Sequence, residues 1–221
     1  MPLIETLTDL PPLPSDTLRE LIPLGWHGTA RTIRVMQRCV SHGKRDPYIA
    51  RLVGQIIQKC SSKDWQCYCR ALFDWVKSNI RYVYDPNGVE KVCTPRVTIE
   101  NGMGDCDDMV VVICAFLETI GLECRFVTIK ANRKSDEFSH VYGQVRVPGR
   151  DWVSLDCTMQ YPLGWEAPGN LPRKNWPASL DESERHGGDS MNGLSGLSEA
   201  PRSFPWVAAA VVAGLFWMAK K

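Results

Sequence analysis

The 221-residue chain has no surplus of charge of either sign. Its 26 Lys and Arg stand against 25 Asp and Glu, a net charge of +1. That balance gives no global support to a nucleic-acid footprint or to an acidic tail, so no nucleic-acid partner is expected. No EF-hand-like loop occurs either, and no cofactor or metal is expected. The start, Met1-Pro2-Leu3-Ile4-Glu5, has neither a basic n-region nor an unbroken apolar h-region, so no cleaved secretory signal is read there. Histidine is scarce, with four in the whole chain, which leaves few candidates for a general base.

Cysteine, by contrast, is plentiful. Cys39, Cys60, Cys67, Cys69, Cys93, Cys106, Cys114, Cys124 and Cys157 are odd in number, and several fall on apolar positions of helix or strand patterns. Reduced, buried thiols in a reducing compartment on the cytoplasmic side are the expectation. Cys60, Cys67, Cys69 and Cys93 lack the paired C-x₂₋₄-C spacing of a zinc site. Arg31, Arg34 and Arg38 share one helical face, read as solvated rather than as a phosphate site.

Length and a 44% hydrophobic content suit one core. Residues 1–14, with four prolines, read as an extended arm, and residues 15–165 as the folded domain. A short helix is expected around Ile33, Met36 and Val40. A second starts at Pro47 behind an Asp46 cap, and a third follows Ser61-Ser62 with Trp65, Cys69, Leu72, Val76 and Ile80 on one stripe. Gly102-Met103-Gly104-Asp105 opens a fourth, which Gly121 ends. Three strand-like runs follow, at 124–131, 138–147 and 151–157. Residues 166–203 turn to Pro, Gly, Ser and charge, and read as a flexible linker. The uncharged run Phe204 to Ala219, flanked by Trp206 and Trp217 and followed by two lysines, reads as a C-terminal membrane helix over 204–221.

Chemistry concentrates at three residues. Cys106 falls in the first turn of a helix, where unpaired amides and the helix dipole favour a thiolate, and its own amide could bind a developing oxyanion. Asp105, Asp107 and Asp108 oppose that thiolate, so a cationic partner is needed. His140 sits mid-strand, sharing a face with Tyr142, Gln144 and Arg146. On the next strand Trp152, Ser154 and Asp156 share a face. A three-residue turn, Pro148-Gly149-Arg150, places His140 opposite Thr158 and diagonal to Asp156, about 7–8 Å apart and on the same face. A four-residue turn would separate them unless a bulge intervened. Trp65, Gln66 and Tyr82 are open candidates for a side-chain oxyanion donor.

Gly104-Asp105-Cys106-Asp107-Asp108, the apolar helix after it and Gly121-Leu122-Glu123-Cys124-Arg125-Phe126-Val127 resemble the nucleophile segment of the transglutaminase-like superfamily, which belongs to the papain-like cysteine enzymes. His140 resembles its histidine strand, and Trp152-Val153-Ser154-Leu155-Asp156-Cys157-Thr158 its W-x-x-x-D-x-T strand. Ile80-Arg81-Tyr82 resembles its short element ahead of the cysteine. The likeness covers roughly residues 60 to 160, with spacings of 34 and 16 residues between the three site residues. It implies an α+β fold, with helices packed on a small antiparallel sheet, and a Cys106–His140–Asp156 triad. It also implies acyl transfer on a peptide or protein amide, as a peptidase or amidase, or with an amine acceptor as a cross-linking transglutaminase. Small members in bacteria and phages favour hydrolysis. The competing expectation from another class is a catalytically inactive, membrane-tethered module of a virion or envelope.

Overall fold

A computed structural model of the protein describes residues 26–85, 91–130 and 138–180. Three of its helices start where Asp46, Asp64 and Asp105 accept the orphan amide protons of a first turn. Helix α1, Trp26–Gly43, is longer than expected, and Ile33, Met36 and Val40 lie in the core. Helix α2, Pro47–Ile57, carries Pro47 at its start, and its Asp46 cap accepts from the Tyr48 amide at 2.9 Å. Helix α3, Trp65–Asn79, is capped by Asp64 and buries Cys69, Leu72, Phe73 and Val76. Strand β1, Arg81–Tyr82, runs parallel to β2, Met103–Gly104, and a helix that was not anticipated, α4 at Pro95–Asn101, lies between them in sequence.

Helix α5, Cys106–Thr119, is the centre of the molecule. Every residue from Asp108 to Leu117 is buried, as suits a helix that is apolar all round. Four strands complete the fold: β3 Glu123–Ile129, β4 His140–Arg146, β5 Trp152–Leu155 and β6 Arg173–Pro177. They form one antiparallel sheet in the order β5-β4-β3-β6. Burying Phe116, Phe126, Ile113, Leu117 and Leu155 in the core between helices and sheet contributes about 1.5–3 kcal/mol each. Gly143 lets β4 approach α5 closely, since a Cβ there would lie 3.3 Å from the Cys114 sulfur and 3.4 Å from Val110 Cγ2.

Two expectations are corrected. Residues 173–177, placed in a flexible linker, form β6 on the free edge of β3, with Ala178 and Leu180 buried behind it. The folded domain therefore extends past 165 to at least Leu180. Apolar residues are thin there, and the strand is held by pairing with β3, by Trp176 packed on the core with its Nε1 donating to Thr128 Oγ1 at 3.0 Å, and by Gln37 Nε2 donating to the Pro177 carbonyl at 2.8 Å. The cysteines are not all thiols: Cys60 and Cys67 form a disulfide that ties the chain after α2 to the first turn of α3, with Cα atoms 5.8 Å apart. The other seven form no disulfide, and all of them except Cys106 are buried. The N-terminal arm, the rest of the linker and the 204–221 segment lie outside the described residues, among which no helix is long and apolar enough to cross a membrane.

A buried ion pair joins α2 to α4. Arg96 donates through Nε to Asp46 Oδ2 at 2.9 Å and through its terminal nitrogen to Oδ1 at 2.5 Å, while its guanidinium covers the Tyr48 ring at 4.9 Å. Losing one partner leaves the other charge buried and unmatched. Arg96→Met is expected to cost about 3–5 kcal/mol of unfolding free energy, read from urea melts. A cost under about 1 kcal/mol would show that Asp46 finds solvent.

Candidate active site

The segment around Cys106 is fixed from both sides. Downstream, Asp105 Oδ1 accepts from the amides of Asp107 and Asp108 at 3.0 and 3.2 Å, so α5 begins at Cys106. Upstream, Gly102 takes a left-handed turn at φ 61° that ends α4. Its carbonyl accepts from the Arg81 amide at 2.9 Å, and the Gly104 carbonyl accepts from the Val83 amide at 2.9 Å. Gly104 is required for space: a Cβ there would sit 2.5 Å from Asp108 Cβ.

Cys106 is half-buried in an acidic setting. Its thiol donates to Asp107 Oδ1 at 3.5 Å. One donor atom each from Asp105, Cys106 and Asp107 lie within 4.8 Å of one another, and among the described residues these are the ones whose atoms could meet on a cation. Their immediate effect is to favour the neutral thiol, against the helix dipole. Asp108 turns inward. Burial pushes its carboxyl up, although the Cys93 amide donates to it at 2.7 Å and the Lys91 charge opposes the shift.

His140 and Asp156 meet as the hairpin parity requires. The pairs Gly143–Leu155, Gln144–Ser154, Val145–Val153 and Arg146–Trp152 are the register of a three-residue turn, closed by the Arg150 amide on the Val147 carbonyl at 2.9 Å. Extending this register puts His140 and Asp156 on one face, and His140 Nε2 lies 2.8 Å from Asp156 Oδ2. The other carboxylate oxygen accepts from the Thr158 amide at 3.1 Å and the Thr158 hydroxyl at 2.7 Å. Burial alone would raise the Asp156 carboxyl. The His140 charge and these hydrogen bonds outweigh it and hold the group below its usual range.

The oxyanion candidates separate. Gln66 accepts from both terminal nitrogens of Arg150, at 2.6 and 2.7 Å with its amide suitably turned. It lies on the wall of a cavity of about 610 Å³ between α3 and the β4–β5 turn. Trp65 packs edge-on against Tyr68, with ring centroids 5.6 Å apart. Tyr82 stands on β1 beside Gly104. Burial, followed by negative charge at Cys106, Asp105, Tyr84 and Asp107, pushes its phenol up and keeps it a hydroxyl donor. The sequence reading missed Glu166, discussed below, because a single carboxylate in a loop carries no pattern.

Residues 50–157 match the family model of the transglutaminase-like superfamily. Among solved structures, a candidate cysteine protease from Cytophaga hutchinsonii aligns at TM-score 0.45 with 16% identity, over 66% of this chain and 57% of that one. LapG of Legionella pneumophila, in an EGTA-treated form, aligns at TM-score 0.44 with 18% identity, over 67% of this chain and 86% of that one. A candidate protease from Parabacteroides distasonis aligns at TM-score 0.43 with 9% identity, and this chain spans only 27% of its length. No curated protein matches the chain.

Two expectations follow from the electrostatics. One unit charge about 4 Å from the sulfur costs the thiolate roughly 1 kcal/mol under water-like screening. Asp107→Asn should therefore speed alkylation of Cys106 by iodoacetamide at neutral pH by about 3- to 5-fold, and a slower rate would mean that Asp107 assists the thiolate. For Asp156, the folded-state value lies below the ordinary 3.8, so the unfolded chain takes up the proton first. Its stabilisation is complete above about pH 5 and is lost as pH falls below 3.8 and through the folded value. Urea melts between pH 5 and 2.5 should show this acid limb, flattened in Asp156→Asn. An unchanged limb in that variant would assign the loss to other carboxylates.

Proposed function

Because residues 50–157 match the family model of the transglutaminase-like superfamily, we propose that the chain is a cysteine peptidase or amidase of that superfamily, acting through a Cys106–His140–Asp156 triad. The observation that carries this reading is the 2.8 Å contact between His140 Nε2 and the buried Asp156 carboxylate, set by a hairpin register that any shift of one residue would destroy.

In this reading Asp156 holds Nε2, and Nδ1 is the ring nitrogen that serves the thiol. The Cys106 proton passes to Nδ1 as sulfur attacks the amide carbonyl carbon, and the C=O electron pair moves onto oxygen. In this reading the Cys106 amide at the start of α5 receives that oxyanion, and one such donor is worth about 10²–10³ in rate. Collapse of the tetrahedral adduct breaks the C–N bond, the departing amine takes the proton from imidazolium, and a thioester remains on Cys106. Water then gives a proton to His140 as its oxygen adds to the thioester carbon; the C–S bond breaks, the sulfur takes that proton back from His140, and the product acid leaves as a carboxylate with its proton passing to solvent. With an amine in place of water the product is a cross-link. The membrane-directed role of residues 204–221 is a further part of the proposal, and rests on their uncharged apolar run and terminal lysines.

The test is site-resolved labelling. At substoichiometric iodoacetamide, Cys106 should be the modified thiol, and His140→Ala should slow its labelling by about 10-fold or more. Asp156→Asn should lower turnover of a cleaved peptide by about 10²–10⁴. Incorporation of a dansyl amine exceeding peptide cleavage would move the assignment to cross-linking. Cys106 reacting no faster than the buried thiols, with His140→Ala without effect, would sink the enzyme reading.

A further inference from the structure

A second constraint acts on the histidine from the sheet. The segment between β5 and β6 crosses the sheet face that carries His140 and brings Glu166 onto it. Glu166 Oε1 accepts from the Tyr142 hydroxyl at 3.0 Å, Gln144 Nε2 at 3.1 Å and Arg173 at 2.6 Å, and Oε2 accepts from the Ser154 hydroxyl at 3.2 Å. Donors from β4, β5 and β6 thus meet on one loop carboxylate. Arg173 also donates to the carbonyls of Ala167 and Pro168 at 3.0 and 2.9 Å, which fixes the loop next to the carboxylate. Trp165, Ala167 and Leu171 pack with Val127, Ile129 and Tyr142, so apolar contact already holds the segment down. The charge at Glu166 is not needed for that packing.

Its distinctive partner is Tyr142. This residue is two positions along β4 from His140, on the same face, and the two rings lie nearly parallel with centroids 6.3 Å apart and planes at 27°. Burial, reinforced by the Glu166 carboxylate, pushes the phenol up and keeps it a donor. The hydrogen bond from His140 Nε2 to Asp156 Oδ2 by itself leaves the imidazole able to rock about the Nε2–Oδ2 line, because the outer torsion of a histidine is soft. A neighbouring ring of fixed orientation removes that freedom.

We propose that Glu166 is a positioning residue for His140: by holding the Tyr142 hydroxyl it fixes the ring beside the imidazole, so that Nδ1 stays directed at Cys106. This rests on the triad reading above. A displacement of about 1 Å at such a group costs up to about 10²-fold in rate, so loss of the tether is visible without any change at the reacting atoms.

The experiment measures the second-order rate of Cys106 labelling by iodoacetamide at pH 7 in the full chain, with unfolding temperatures alongside. Glu166→Ala and Tyr142→Phe should each slow labelling by about 3- to 10-fold, and the double variant should be no slower than either. Glu166→Gln, which keeps an oxygen for the Tyr142 hydroxyl, should stay within about twofold of the parent. Tyr161→Ala, which removes the ring stacked on Trp165 at 4.1 Å, loosens the same segment without touching the tether. It should lower the unfolding temperature and leave the rate unchanged. The proposal is overturned if Glu166→Ala and Tyr142→Phe label at the parent rate while His140→Ala is slow, or if Tyr161→Ala slows labelling as much as they do. A parent-like rate in His140→Ala would instead remove the triad, and the positioning role with it.

Discussion

The site depends on the parity of one hairpin. His140 and Asp156 are 16 residues apart, and only an odd register between β4 and β5 places both on the same face. The three-residue turn supplies it, and the carboxylate is buried with every close partner accounted for: His140 on one oxygen and Thr158, twice, on the other. Because a buried carboxylate without donors would protonate, this set of partners is what keeps Asp156 ionised and able to orient the ring. The other face of the same strands packs on α5, with Gly143 against Cys114 and Val110. The register that pairs His140 with Asp156 is therefore also the register that buries the core, and the two cannot change independently.

At Cys106 the forces are opposed. The start of α5 offers amides and a positive dipole end, whereas Asp105 and Asp107 bring negative charge to within a few ångströms of the sulfur. Asp105 is needed as the cap, since it satisfies two orphan amides. Asp108 is spent inward on the Cys93 amide. Asp107 is the residue whose charge faces the thiol, which makes the imidazolium partner essential in the triad reading. Around this segment the chain is tied at Gly102 and Gly104 to β1, which brings Tyr82 alongside. In the triad reading, Tyr82 is thereby better placed than Trp65 or Gln66 for a side-chain role beside Cys106.

Much of this was legible in the sequence where one physical signal dominated. Asp46-Pro47 and Asp105-Cys106 announced helix starts because capping is local, and the alternation around His140 announced faces because strand geometry has a period of two. Strand β6 was not legible. Its stability comes from pairing with the edge of β3, a non-local contact that five residues reading Arg-Lys-Asn-Trp-Pro do not advertise. The Cys60–Cys67 bond escaped for a similar reason: spacing alone did not distinguish two half-exposed cysteines across a turn from buried thiols on a stripe. Glu166 also escaped, because its partners come from three strands and most are 12 to 24 residues away from it in sequence.

The central claim is that Cys106 works as a pair with His140 while Asp156 holds the opposite ring nitrogen. The most direct measurement is a crystal structure of the chain carrying a slowly hydrolysed peptidyl adduct on Cys106. The account predicts Nδ1 of His140 within hydrogen-bonding reach of the sulfur, about 3–4 Å, with Nε2 still on Asp156. An imidazole turned away from the sulfur, or an adduct that forms on a different cysteine, would contradict it.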